Sequence, residues 1–130
     1  MKPIELSASL EDYLEAILAS GDGETARAHD VARRLGVRAA SVTGALRALS
    51  RRGLIEYHPY APIRLTPSGR TAARHVERRH RGVRDFLVRV LGVERGEAER
   101  CACRIEHVVS DGISRRLAEL ARAVPPGGGP

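Results

Sequence analysis

The most restrictive stretch of this sequence runs from Arg27 to Arg52, where a single apolar stripe is interrupted once. Ala28, Val31, Ala32 and Leu35 share one face at helical spacing, Gly36-Val37 breaks the pattern, and Val42, Ala45, Leu46 and Leu49 resume it from Ala40 to Arg52. Two short helices joined by a tight glycine-containing turn satisfy that pattern. Gly53 ends the second helix. Leu54-Ile55-Glu56-Tyr57 and Ile63-Arg64-Leu65 then read as a small hairpin around His58-Pro59-Tyr60-Ala61-Pro62, whose two prolines stiffen its tip. Helix, turn, helix and hairpin in this order is the winged helix-turn-helix, whose second helix enters the major groove of DNA.

Helical periodicity flanks this motif on both sides. Residues 9–20 place Leu10, Tyr13, Leu14, Ile17 and Leu18 on one face behind Ser9 as the expected cap, and Gly21-Asp22-Gly23 stops them. Thr66-Pro67 offers a cap and a first-turn proline for a long helix running towards Val90, with Gly92 near its end. Two further helical segments, Glu94 to His107 and Gly112 to Ala123, carry Ile105, Val108, Val109, Ile113, Leu117 and Leu120. The expected fold is therefore mainly α with a small β-wing. A winged helix-turn-helix domain over 1–72 is followed by an all-helical domain over 73–124, and the Pro/Gly tail 125–130 is expected to be disordered.

A chain of 130 residues suits one compact domain or a small bipartite domain, and no apolar run approaches the roughly 18 residues needed to cross a bilayer. With no signal-peptide pattern, and with Cys101 and Cys103 too close together to bridge comfortably, a reducing cytoplasm is the expected location and no membrane partner is expected. The net charge of +6 points to an acidic polymer as partner. All basic residues except Lys2 are arginine, a bias that genomic base composition can produce, so their distribution carries more information. Residues 1–26 hold six acids against Lys2, whereas 27–73 hold nine arginines against Asp30 and Glu56. Such segregation is the footprint of a nucleic-acid-binding surface, with a merely solvated arginine-rich face as the plain alternative.

The exposed side of the second helix of the pair would carry Arg38, Ser41, Thr43, Arg47 and Arg51, and no acid lies between Val37 and Gly53. Small residues at Ala39, Ala40 and Gly44 would let its first turns come close to base edges. Arg38, Ser41 and Thr43 are the candidates for base or sugar-phosphate contact; Arg47, Arg51, Arg52 and the wing residue Arg64 are candidates for phosphates. The alternative is a helical hairpin inside an all-α domain whose surface happens to be basic.

A second group of residues carries metal-ligand chemistry. Cys103, Glu106 and His107 are spaced three and four apart, so a thiol, a carboxylate and an imidazole converge on one helical face, a donor mixture that suits a transition metal. Each has a plainer reading: Cys103 as a small buried thiol, His107 as a hydrogen-bonded core histidine, Glu106 paired with Arg104 or an arginine of another helix. His80, in Arg78-Arg79-His80-Arg81, is a further donor or a solvated imidazole. Asp12 and Glu15 are neighbours on the first helix, but Ser9-Leu-Glu-Asp12 is also a capping-box pattern and Glu15 also fits a solvated charge. A cysteine hydrolase would need His107 presented to Cys103 from another element, together with oxyanion donors, and no Gly-rich loop near Cys103 offers them. The chain is not expected to be an enzyme or to take a small organic substrate.

Ser9-Leu-Glu-Asp-Tyr-Leu-Glu15, the run Asp30-Val-Ala-Arg-Arg-Leu-Gly-Val-Arg-Ala-Ala-Ser-Val-Thr43, Leu65-Thr-Pro-Ser-Gly-Arg70 and Cys103-Arg-Ile-Glu-His-Val-Val-Ser-Asp111 together resemble the diphtheria toxin repressor and manganese transport regulator family, over residues 6 to 122. The resemblance implies a metal-activated, homodimeric transcriptional repressor that binds palindromic operator DNA, with the helical half serving for dimerisation and metal sensing. By position, Asp12, Cys103, Glu106 and His107 match one group of ligands, and Glu15 and His80 match the second site of the manganese regulators. Asp12 stands where iron-type members usually have methionine, whereas Cys103 stands where manganese regulators usually have a bridging glutamate. In the iron-type second site a carboxylate follows the histidine by four; here that position is Arg84. The chain also stops before the extra C-terminal domain of the iron-responsive members. Mn2+ is the expected metal and Fe2+ the next, with Co2+ or Zn2+ as in vitro substitutes. A metal-storage or metal-chaperone protein that does not read DNA is the alternative from another class.

Overall fold

A computed structural model describes residues 6–125, so most of the expected disordered tail, 126–130, lies outside the described residues. The described elements are α1 (Ala8–Ser20), β1 (Thr25–Ala26), α2 (Ala28–Leu35), α3 (Ala39–Arg51), β2 (Ile55–Glu56), β3 (Ile63–Leu65), α4 (Pro67–Arg89), α5 (Arg95–Ile105) and α6 (Asp111–Ala123). No described helix is long and apolar enough to cross a membrane. The chain forms two compact units, Met1–Arg74 and His75–Pro130, and the division falls within α4.

The first unit is the expected winged helix-turn-helix, built on a core of Leu14, Ile17, Val31, Val42, Leu46, Leu49, Leu54 and Ile63. These residues come from α1, α2, α3 and the wing, so each amphipathic helix buries its stripe against the others. The turn between α2 and α3 depends on Gly36, whose φ of 66° is the left-handed conformation. With Gly36 so placed, its N–H donates to Arg33 O and the Val37 N–H to Ala32 O, the paired bonds of a Schellman ending.

The wing has a strand that the sequence did not reveal. β1 pairs antiparallel with β3 (Thr25 opposite Arg64, Ala26 opposite Ile63), and β3 pairs with β2 (Ile55 opposite Leu65), giving the order β1-β3-β2. Two residues are too few to show a period-two pattern. Asp22 sets the strand up, since its Oδ1 accepts from the Glu24 and Thr25 N–H groups at 2.9 and 2.8 Å. Below the wing, the Thr66 hydroxyl donates to Gly53 O at 2.7 Å and accepts from the Gly69 N–H at 3.0 Å. It thereby ties the end of α3 to the start of α4.

The expected cap of α1 is corrected. Ser7, not Ser9, is the N-cap, its Oγ accepting from the Leu10 N–H at 3.2 Å, so the helix starts two residues earlier than expected. Asp12 therefore stands beyond the capping positions, and the capping-box explanation for it fails.

In the second unit, α4 and α5 bury Val76, Val83, Ala98 and Ala102, and α6 buries Ser114 and Ala121. Small residues bring these helices close: a Cβ at Gly82 would lie 2.8 Å from Ser114 Oγ and 2.9 Å from Ser114 O. Glu94 caps α5 by accepting from the Gly96 and Glu97 N–H groups, and Ser110 caps α6 by accepting from the Ile113 N–H. The helical segment expected as far as His107 ends at Ile105. Glu106 keeps helical dihedrals as the C-cap, and the Val108 N–H turns back to Ile105 O at 3.0 Å.

Ser7→Ala should lower the unfolding free energy by about 1 kcal/mol, the usual cost of an N-cap hydroxyl, whereas Ser9→Ala should leave it unchanged or slightly higher. Urea unfolding of the two variants distinguishes the caps, and the reverse order would return the cap to Ser9.

Candidate metal centre and nucleic-acid interface

Of the candidate DNA contacts, Arg38, Ala39, Ala40, Ser41, Arg47, Arg51 and the wing residue Arg64 are exposed. Thr43 is half-buried, and its hydroxyl donates to Ala39 O at 3.3 Å. A groove of about 540 Å³ runs between α3 and the wing, lined by Arg27, His29, Thr43, Arg47, Tyr57 and Tyr60 among others. Tyr60 is fully exposed at the wing tip with a φ of 65°, an uncommon conformation for a bulky residue. The wing thus holds an aromatic ring in solvent beside the basic helix.

The candidate ligands fall on both units. Asp12 and Glu15 are half-buried on α1 of the first unit. In the second unit the structure brings four of the expected residues together, with His80 presented by α4, Cys103 by α5, and Glu106 and His107 by the turn that closes α5. Glu106 is fully buried, and its Oε2 lies 2.7 Å from His80 Nδ1. His107 Nε2 is 3.6 Å from Glu106 Oε1, and Cys103 Sγ is 3.8 Å from His80 Nδ1.

The plainer readings of three residues are corrected. His80 is buried and held by two carboxylates rather than solvated among arginines, and Cys103 is exposed rather than a buried core thiol. Glu106 pairs with the two histidines, not with Arg104.

The remaining oxygen of Glu106, Oε1, is buried and accepts no hydrogen bond. An enclosed carboxylate oxygen without a donor is costly, and a bound cation removes that cost. The donor types near Glu106, imidazole nitrogen from His80 and His107, carboxylate oxygen and, beside His80, the Cys103 sulfur, suit a transition metal better than magnesium or calcium.

One member of this network was not anticipated. Glu99, one turn before Cys103 on α5, places Oε2 2.6 Å from His80 Nε2, while its Oε1 accepts from Arg84 NH1 at 3.2 Å. Burial pushes the Glu99 carboxyl up, but hydrogen bonds and charge from His80 and Arg84 outweigh it and hold the group below its usual range. Burial likewise works against the Arg84 charge, and Asp85 and Glu99 overcome it. The available signal was the spacing Glu99, Cys103, Glu106, which is four and then three. Glu94 and Glu97 nearby made the same stretch resemble an ordinary solvated face.

Comparison with known proteins agrees with both halves. Residues 5–63 match the iron dependent repressor N-terminal DNA binding domain, and residues 66–124 match the iron dependent repressor metal binding and dimerisation domain. The chain is 34% identical over 114 residues to an uncharacterized helix-turn-helix-type transcriptional regulator of Methanocaldococcus jannaschii, covering 86% of this chain and 91% of that protein. It is 32% identical over 121 residues to the diphtheria toxin repressor of Corynebacterium diphtheriae, covering 92% of this chain and 54% of that one. Among solved structures, a manganese-dependent transcriptional repressor in complex with manganese is similar with a TM-score of 0.77 at 32% identity, over 87% of this chain and 52% of that chain. The chain thus spans about half the length of the last two proteins. With its basic winged half and its ligand-bearing helical half each matched, the chain belongs to the iron-dependent repressor family of metal-dependent transcriptional repressors.

Proposed function

We propose that this chain is a manganese-activated repressor that acts in the cytoplasm as a homodimer on palindromic operator DNA and so controls metal-ion homeostasis. The observation that carries the reading is the enclosed Glu106 carboxylate, with one oxygen on His80 and the other lacking a donor, beside the Cys103 thiol and His107. In this reading residues 1–72 recognise DNA and residues 73–124 sense metal and dimerise, and no residue is catalytic. The ligands are Asp12, Glu15, His80, Cys103, Glu106 and His107. For the four on the second unit the distances above are the support; for Asp12 and Glu15 it is their positional match to the family. Manganese is favoured by Asp12, Glu15 and His80 in those positions. Iron is the second reading, and the specific residue in its favour is Cys103, because a thiolate suits softer or later metals.

The bound ion supplies positive charge and a fixed coordination geometry. Asp12 and Glu15 belong to the helix that packs against α2 and α3, so fixing them fixes the reading helix they support. Asp12, Glu15 and Glu106 are three carboxylates whose negative charge a bound cation would offset. With it, two recognition helices of a dimer stand at a spacing that reaches successive major-groove faces, a coupling between metal and DNA affinity that is reciprocal. Support for a dimer comes from α6, where Ile113 and Leu120 are 55% and 49% exposed, and from Val108 at 84%. An apolar stripe left open at helical spacing is an interface in search of a partner.

Anaerobic titration of the metal-free protein with manganese, iron, cobalt and zinc, read by fluorescence anisotropy on upstream DNA and on a scrambled duplex, tests the whole reading. Tightening on the upstream DNA alone is expected, steepest with manganese, and affinity should fall sharply with added salt. Equal binding with and without metal would remove the sensing mechanism, and metal uptake with no DNA response would make this a storage or chaperone protein.

Asp12→Ala and His107→Ala should each abolish the metal response while size-exclusion chromatography still finds a folded dimer. A full response in both would overturn the ligand assignment.

Arg47→Ala should weaken binding across all duplexes by a similar factor, whereas Ser41→Ala should change the preference among operator variants. Unchanged affinity in both variants would take α3 out of the groove.

A further inference from the structure

We infer that Glu99, clamped by Arg84, is the positioning carboxylate for His80, and that Glu99 is not itself a metal ligand. The inference rests on the proposed metal site and concerns what holds one of its ligands in place. His80 and Arg84 stand one turn apart on α4, and Glu99 stands one turn before Cys103 on α5. Both oxygens of Glu99 are engaged, Oε2 by His80 Nε2 at 2.6 Å and Oε1 by Arg84 NH1 at 3.2 Å. Arg84 is fixed in turn, its Nε and NH2 groups both 3.0 Å from Asp85 Oδ1. Asp85, Arg84, Glu99 and His80 therefore form a continuous relay that ends with Nδ1 facing Glu106 and Cys103.

A histidine that ligates through one nitrogen commonly donates its other N–H to a carboxylate. That bond sets which nitrogen is free, fixes the ring plane and strengthens the nitrogen as a donor. Glu99 is placed to do this for His80. Arg84 then decides what Glu99 cannot do. Its guanidinium is permanently charged and holds the same carboxylate, so a second cation on that side would sit against a like charge and compete for oxygens already engaged. The arginine at the position where iron-type members carry a carboxylate is thus more than the loss of a ligand. It is a tethered cation that turns Glu99 from a candidate ligand into a support for His80.

The test uses the full chain, metal-free and loaded with Co2+, with three readouts: affinity, cobalt bound per chain, and the thiolate-to-cobalt charge-transfer band together with the d–d bands. Glu99→Gln should bind Co2+ about 10–100-fold more weakly, the usual effect of losing such a partner. It should keep the wild-type number of ions per chain and the charge-transfer band, with altered d–d bands reporting a reoriented imidazole. Arg84→Ala should weaken binding in the same direction, and Arg84→Lys, which keeps the charge without the fork, should recover some of the loss. Thermal melts by circular dichroism identify a variant that fails to fold, and the Arg84 pair tests the relay if Glu99→Gln is that variant. Wild-type affinity and spectrum in Glu99→Gln and Arg84→Ala would overturn the relay while leaving the metal site standing. Loss of one bound ion per chain in Glu99→Gln would overturn it too, by making Glu99 a ligand. A wild-type protein that takes up no cobalt and shows no thiolate band would bring down the metal site and the relay together.

Discussion

The second unit is organised around a carboxylate taken out of water. Glu106 is fully buried at the end of α5, where its charge has little solvent to stabilise it and depends on what the neighbouring helices supply. His80 from α4 supplies one contact at 2.7 Å, and His107 stands near the other oxygen at 3.6 Å. Oε1 is buried and accepts no hydrogen bond, so a cation bound beside it would offset the cost of enclosing that oxygen. The helix boundary lies at the site: Glu106 keeps helical dihedrals as the C-cap of α5, and His107 follows it in the turn.

The first unit solves a different problem, that of holding a basic helix rigidly enough to be placed against DNA. Apolar stripes of α1, α2 and α3 close on one another, and the Thr66 hydroxyl ties the end of α3 to the start of α4 with two hydrogen bonds. The exposed side of α3 is thereby free of structural duties and carries arginine and small polar residues without an acid. Segregation of charge along the chain becomes segregation in space, because acidic α1 supports the reading helix from behind while basic α3 faces out.

Much of this was legible in the sequence, and the reasons differ by element. The helix-turn-helix and the long helix after Thr66-Pro67 were visible because amphipathic period, glycine stops and a first-turn proline are local signals. The cap of α1 was misplaced by two residues, since Ser7 and Ser9 are chemically equal and only the observed hydrogen bond to Leu10 separates them. β1 was missed because a two-residue strand exists only through its partner β3. At the site, Cys103, Glu106 and His107 declared themselves by spacing, and His80 by resemblance. Glu99 did neither, because its role is created by two α4 residues, His80 and Arg84, which lie 19 and 15 positions away in the chain.

The sequence by itself determined the element order, the charge separation between the first helix and the reading helix, and the donor types available to a metal. These follow from local periodicity and residue chemistry, which need no knowledge of distant neighbours. Only the tertiary structure decided the protonation partners of His80, the enclosure of Glu106, the exposure of Cys103, and the union of Arg84 with Glu99. The pairings are contacts between α4 and α5 or the turn that closes it, and side-chain contacts across helices leave no periodic trace in a single chain.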